Sequence, residues 1–302
     1  MEESLNTALA RYTTLKVGGP ANRLCHPTNT DELIGLLDKL NKEGEPWFIL
    51  GGGSNLLVSS EGFAGSVIRM TQMQRMVRTG EDMIEAEAGV RLPHLAKFAA
   101  QVGLSGLEFA VGIPGTVGGA AVMNAGAHGS CIAEVTESVT VLDTTTWKLV
   151  TLNRDEMKFE YRRSGIDPSK HVVVSSVYRL KPDVAANIQE RTQHNEDYRW
   201  KTQPLGWPNA GSTFKNPDPK RSAGLLLDQA GAKHLKEGNA AVSAIHANFV
   251  INLGGATSQE VTGLLARMQE AVYEQFSVRL HPEWKTLGKF SGAEQQIWSD
   301  KA

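Results

Sequence analysis

Cysteine is nearly missing from this chain: Cys25 and Cys131 stand far apart and are the only two. They make neither a C-x-x-C motif nor a metal-type pair, which argues against a disulfide framework and a cysteine-built metal centre and leaves free thiols in a reducing compartment. An excess of one charge is missing too. Lys plus Arg number 31 against 33 Asp plus Glu, a net charge of -2, so no bulk field calls for nucleic acid or an anionic membrane. Basic residues that matter must therefore act locally. No apolar run approaches a membrane span. The opening "MEESLNTALARYTTL" lacks the basic and apolar regions of a secretory signal, so the expected compartment is the cytoplasm. The six tryptophans are scattered, without the stacking pattern of a nucleic-acid groove. No long repeat and no low-complexity tract is present.

What remains is a globular composition: 302 residues, 41% hydrophobic and 21% charged, enough for two or three compact units. Asn29 followed by Glu32 reads as a helix start, and Leu33, Ile34, Leu36, Leu37 and Leu40 recur at helical spacing up to Gly44. "PWFIL" (46–50) reads as a short buried strand running into "GGGSN" (51–55). Strands are expected in "LLVS", "SVIRM" and "MIEAEAGV", a helix over 92–103 ending at Gly103, and strands at 135–143, 147–152 and 171–180. "KPDVAAN" (181–187) reads as a boundary. Beyond it lie a helix at 184–201, a helix in "RSAGLLLDQAG", strands in "AAVSAIHANFVINL" and a long helix from 258 with a Thr257/Glu260 capping box. The fold class is α+β, the last third being a unit with its own core.

Two glycine-rich segments carry the first chemical signal, "GGGSN" and "GIPGTVGGAAVMNAGAHG" (112–129). Adjacent glycines let backbone N–H groups converge on an anion without intervening side chains, and a dinucleotide pyrophosphate is the natural guest. Neither segment is G-x-G-x-x-G opening a long helix or G-x-x-x-x-G-K-[ST], so neither a Rossmann nor a P-loop site follows; tight turns are the plain alternative. "PNAGSTFKNP" (208–217) is equally ambiguous. Asn, Gly, Ser and Pro all suit turns, and Ser212 is either a turn residue or a chemical one.

Taken together, "YTTLKVGGPA", "ILGGGSNLLVS", "GLSGLEFAVGIPGTVGGAAVMNAGAHG", "YRRS", "NAGSTFKNP", "AGLLLDQAG", "VSAIHANFVIN" and "LHPEWKTLG" resemble, in this order, the UDP-N-acetylenolpyruvoylglucosamine reductase family. The resemblance spans about residues 11–288. It implies a two-part FAD-binding domain of the vanillyl-alcohol-oxidase type (1–70 and 71–183) and a C-terminal α+β substrate-binding domain (184–302). It also implies noncovalent FAD, NADPH as co-substrate, and reduction of an enolpyruvyl group on a UDP-sugar in peptidoglycan precursor synthesis. By motif position Arg162 of "YRRS", Ser212 and Glu283 of "LHPEWK" look catalytic. Arg162 would hold the substrate carboxylate, Glu283 would act protonated, and Ser212 would donate the proton. Cofactor contacts are expected from Gly51, Gly52, Gly53, Ser54, Asn55, Gly112, Ile113, Gly115, Thr116, Gly118 and Gly119. Substrate contacts are expected from Lys215, Asn216 and Arg199. No metal is expected, and His128 is not expected to bind flavin covalently. The partners implied are small molecules, with no nucleic acid, no membrane, and a monomer or weak oligomer. The chain resembles the short form that lacks an extra Tyr-bearing loop, which makes Tyr198 and Arg199 candidates for closing the substrate site. A flavin-linked sugar or lactone oxidase, or a non-catalytic flavin or nucleotide-sugar module, are the competing readings.

Overall fold

A computed structural model describes residues 1–299. The chain forms two compact units. Among the described residues, one comprises 1–4, 24–52 and 66–199, the other 5–23, 53–65 and the chain from 200 onward.

The first unit is built on a five-stranded antiparallel sheet in the order Lys148–Asn153, Thr136–Asp143, His171–Arg179, Met83–Glu87, Met76–Arg78. The central strand, "HVVVSSVYR", is buried from Val172 to Ser176, which is why it reads as an almost continuous apolar run rather than an alternating one. At the edge, Lys148–Asn153 leaves Leu149 and Val150 exposed. Trp47–Leu50 pairs in parallel with the end of Phe63–Arg69, register Trp47↔Ser66 to Leu50↔Arg69.

Helix α1 (Thr30–Glu43) follows its local signals. The Asn29 side chain accepts from the Glu32 N–H at 3.0 Å, Gly44 ends the helix at φ 65°, and Leu33, Leu36, Leu37 and Leu40 are buried. Helix α2 (Leu92–Gln101) carries Pro at its first turn and is followed by Gly103 at φ 71°. With α3 (Val117–Met123), α2 contributes to a core of Ile84, Leu92, Leu95, Val117, Ala120 and Tyr178. Helix α4 (Ala185–Thr202) differs from these: of its 18 residues only Ile188 and Arg199 are buried.

In the second unit Leu56–Val58 pairs in parallel with Lys285–Leu287, and Lys236–Glu237, Ala240–Val242 and Val250–Asn252 form a small antiparallel sheet. Helix α5 (Ala223–Gln229) starts at Ser222, whose hydroxyl accepts from the Leu225 N–H. Helix α6 (Ser258–Phe276) has the expected capping box, with both Thr257/Glu260 bonds formed. Val261, Leu264, Leu265, Met268 and Val272 then face a core shared with Leu57, Phe214 and Trp284.

Candidate active site

Within the first unit the two glycine segments meet. A Cβ on Gly51 would lie 2.4 Å from Thr116 Oγ1, and one on Gly52 would lie 2.8 Å from the Pro114 carbonyl. The glycines are therefore demanded first by chain lying on chain, since an ordinary side chain has no room there. Gly118 packs against Ala88 in the same way, at 3.0 Å. The N–H groups of Val117 and Gly118 donate to Val90 and Ala88 carbonyls, so both are already spent. Gly119 is exposed, and an added Cβ would meet nothing closer than Thr116 Oγ1 at 3.7 Å.

A fit for a phosphate-bearing cofactor can be tested on this geometry. Thr116 is 1% exposed and its buried hydroxyl has no hydrogen-bond partner among the described residues, a costly state for a buried donor unless a ligand completes it. It lies beside side-chain-free Gly51, at the foot of α3. These features fit a bound flavin nucleotide.

Arg162 is the third of four residues in a tight hairpin, Glu160 and Arg163 exchanging backbone hydrogen bonds at 3.0 and 3.2 Å. It sits at φ 56°, a left-handed conformation that an arginine adopts only when its surroundings impose it. Two staples hold the hairpin: Asn124 Nδ2 donates to the Glu160 carbonyl at 2.9 Å, and Ser164 Oγ donates to the Val122 carbonyl at 2.9 Å. The Arg162 guanidinium lies 5.1 Å from the Tyr161 ring and donates to the Gly126 carbonyl at 3.3 Å. Arg163 is exposed and lies 3.8 Å from Glu160, as a solvated surface charge does.

Arg199, in the last turn of α4, is 9% exposed, and burial pushes its guanidinium pKa down. A Cβ at Gly112 would fall 2.3 Å from Arg199 Cδ, so that glycine makes room for the arginine stem. Next to it the Tyr198 ring meets His128 edge-on at 5.5 Å. Burial, then the Arg199 and His194 charges, lower the His128 pKa.

In the second unit the ambiguous turn resolves. Asn209 Oδ1 accepts from the Gly211 N–H at 3.0 Å, and Gly211 takes φ 75°, which presents Ser212 at the turn's exit. The following residues are clamped by Asn248. Its side chain accepts from the Phe214 N–H and donates to the Phe214 carbonyl, both at 2.9 Å, while its own carbonyl accepts from the Thr213 N–H. Glu283 is on the neighbouring segment, its N–H donating to the Thr213 carbonyl at 2.8 Å. Ser212 and Glu283 thus flank one backbone pairing. Lys215 is bonded through its N–H to the His281 carbonyl, and burial and then the Lys215 charge lower the pKa of Lys285.

Asn216 Oδ1 accepts from the Ala223 N–H, tying it to the start of α5. Asn55 Nδ2 donates to the Glu283 carbonyl at 3.3 Å. Gly53, at φ 63°, would put a Cβ 2.2 Å from the Tyr12 carbonyl. His246 is satisfied locally, Nδ1 accepting from the Asn248 N–H at 3.1 Å with the ring edge-on to Phe249. Arg191 forms ion pairs with Glu108 at 2.8 Å and Asp183 at 2.5 Å, a cluster that no motif of the sequence marks.

Residues 21–152 match the model of an FAD binding domain, and residues 203–287 match the C-terminal domain of UDP-N-acetylenolpyruvoylglucosamine reductase. Together with the α+β architecture they define the class, an FAD-dependent oxidoreductase. The reductase of Synechococcus sp. (strain WH7803) is 43% identical over 284 residues, 93% of this chain and 91% of that one. The reductase of Acaryochloris marina (strain MBIC 11017) is 44% identical over 285 residues, 94% and 92% of the two chains. The crystal structure of the reductase (MurB) from Thermus caldophilus superposes with a TM-score of 0.81 at 37% identity, over 95% of this chain and 98% of that one. The chain belongs to the UDP-N-acetylenolpyruvoylglucosamine reductase family.

Proposed function

We propose that this chain reduces the enolpyruvyl group of UDP-N-acetylglucosamine enolpyruvate to give UDP-N-acetylmuramate, with Arg162, Ser212 and Glu283 as its catalytic residues. When bound, FAD supplies the hydride, which it takes from NADPH. Gly51, Gly52, Gly53, Ser54, Asn55, Gly112, Ile113, Gly115, Thr116, Gly118 and Gly119 hold the cofactor. The functional division we propose is 1–70 and 71–183 for the flavin and 184–302 for the substrate, although α4 as far as Arg199 packs with the first unit. No helix among the described residues is long and apolar enough to cross a membrane. With the balanced charge, this supports a cytoplasmic enzyme acting on small molecules.

The chemistry sets what the side chains must do. Hydride on the terminal carbon leaves its neighbour carbanion-like, with charge spread into the carboxylate; that charge must be stabilised and then quenched. Arg162 takes the carboxylate through paired hydrogen bonds. Glu283, protonated, donates to the same developing charge. Ser212 delivers the proton, and its hydroxyl is acidic enough only against so basic an intermediate, with cationic help from Lys215. Lys215, Asn216 and Arg199 contact the nucleotide-sugar.

The observation that carries this reading is the clamp on Ser212. A turn residue needs only Asn209 and Gly211, whereas here the next two residues are also fixed by Asn248 and bonded to the segment that carries Glu283. Anaerobic mixing of the FAD-loaded protein with NADPH tests it. Bleaching must follow, and the enolpyruvyl substrate must restore the colour. In Ser212→Ala the bleaching persists while recovery slows by at least the ~10²–10⁴-fold usual for a lost acid–base group. Rapid recovery in air alone would favour an oxidase, and equal loss in both half-reactions would make Ser212 a folding residue.

A further inference from the structure

Helix α4 raises a physical question, because apolar burial does not hold it. Ile188 is the one buried apolar side chain along 18 residues. The contacts that fasten its first half are polar and centre on Arg191. Arg191 donates from Nε and Nη2 to Glu108 Oε1 at 3.0 and 2.8 Å, and Nη2 also reaches Ser105 Oγ at 3.0 Å and Asp183 Oδ2 at 2.5 Å. Asp183 in turn accepts from the Val184 N–H and Asn187 Nδ2, fastening the helix start. Glu108 is buried, and its carboxylate also accepts from Ser105 Oγ at 2.8 Å and the Gly106 N–H at 2.7 Å. A buried carboxylate with this many donors is held in one orientation.

Both ends of this clasp lead to the site. Glu108 lies in the short helical turn Glu108–Ala110, just ahead of Gly112 in the chain. Arg199 lies eight residues after Arg191. At 3.6 residues per turn this is the same stripe of α4 about two turns on, roughly 12 Å along the axis. The clasp therefore fixes the rotation and axial position of the helix that lays Arg199 across Gly112 and Tyr198 against His128.

We propose that Glu108 and Arg191 are positioning residues for substrate binding, acting through Arg199 at the other end of α4. The inference rests on Arg199 as a contact to the phosphate-bearing substrate, a role that suits a guanidinium held by its stem. A clasp that served the fold alone would not be coupled to Arg199 in the Michaelis constant, and the test uses that difference.

Steady-state kcat and KM for the enolpyruvyl substrate are measured in FAD-loaded Arg191→Met, Arg199→Met, the double variant and Arg191→Lys. Each single Met variant is expected to raise KM about tenfold, which corresponds to about 1.4 kcal/mol. In Arg191→Met, flavin content and NADPH-driven bleaching stay at wild-type levels. The double variant is expected to be no worse than Arg199→Met, because the two act in series. Arg191→Lys recovers part of the loss. Additive effects on KM, an unchanged KM in Arg191→Met, or loss of flavin in step with activity would overturn the proposal. If Arg191→Met does not fold, Glu108→Gln is put through the same cycle with the same outcomes. An unchanged KM in Arg199→Met would remove that residue's substrate role and the proposal with it, while the reductase reading is judged separately by wild-type turnover.

Discussion

Replacing Gly51 with Ala puts the meeting of the two glycine segments to a quantitative test. The new methyl would lie 2.4 Å from Thr116 Oγ1 and 3.6 Å from Thr116 Cβ, roughly 1 Å inside ordinary contact with the oxygen. Thr116 cannot retreat by moving its backbone. Its carbonyl accepts from the Ala120 N–H at 2.8 Å, and the next residue donates to the Val90 carbonyl at 2.9 Å. Rotating the side chain in one sense only exchanges the oxygen for Cγ2, so relief requires the one rotamer that turns Hβ toward the new methyl. The strain falls in the overpacking range, about 1–3 kcal/mol. In a protein of this size that corresponds to a fall in Tm of roughly 2–5 °C. The assay is thermal unfolding of the flavin-free protein followed by circular dichroism, paired with FAD titration. Adding Thr116→Ala removes the obstructing oxygen and should restore most of the lost Tm, since that hydroxyl makes no cap bond to α3. An unchanged Tm in Gly51→Ala, or the same deficit in the Thr116→Ala background, would refute the reasoning.

Gly119→Ala should behave in the opposite way: with open space around it in α3, the flavin-free protein gains about 0.5–1 kcal/mol in helix propensity, while FAD binding weakens if the cofactor needs the bare backbone. Unchanged FAD affinity would take Gly119 out of the cofactor site. Thr257→Ala breaks the reciprocal capping box of α6 and should cost about 0.5–2 kcal/mol by chemical denaturation, with kcat unaffected. Burial raises the Glu108 carboxyl pKa, but hydrogen bonds from backbone N–H groups, Arg191 and Ser105 outweigh it and leave it below the ordinary 4.5. The stabilisation from Glu108 is therefore complete above pH 4.5 and lost as the pH falls through the lowered folded value. The stability gap between wild type and Glu108→Gln should accordingly close in acid, and a gap independent of pH would show that the carboxylate's charge is not what holds α4.

The sequence by itself determined the local structure, the family resemblance and the list of candidate residues. Asn29, Gly44 and the Thr257–Glu260 pair set helix ends through contacts three or four residues apart, and the leucines of α1 sit one helical turn from each other, so their burial is written in short spacings. The strand "HVVVSSVYR" was legible too, its burial from Val172 to Ser176 announced by the unbroken run of valines. The site's ordered motifs named Arg162, Ser212 and Glu283 and the family, without saying what surrounds them. Tertiary structure decided the rest. It put Gly51 against Thr116, turned Arg162 into a left-handed hairpin stapled by Asn124 and Ser164, clamped the Ser212 turn with Asn248, and hung α4 on Glu108 and Arg191. Each of these joins residues tens of positions apart, through a backbone approach or a buried polar bond that exists only once the chain has folded. No periodicity or local propensity can encode such a pair, because neither partner has a preference for the other until packing brings them together.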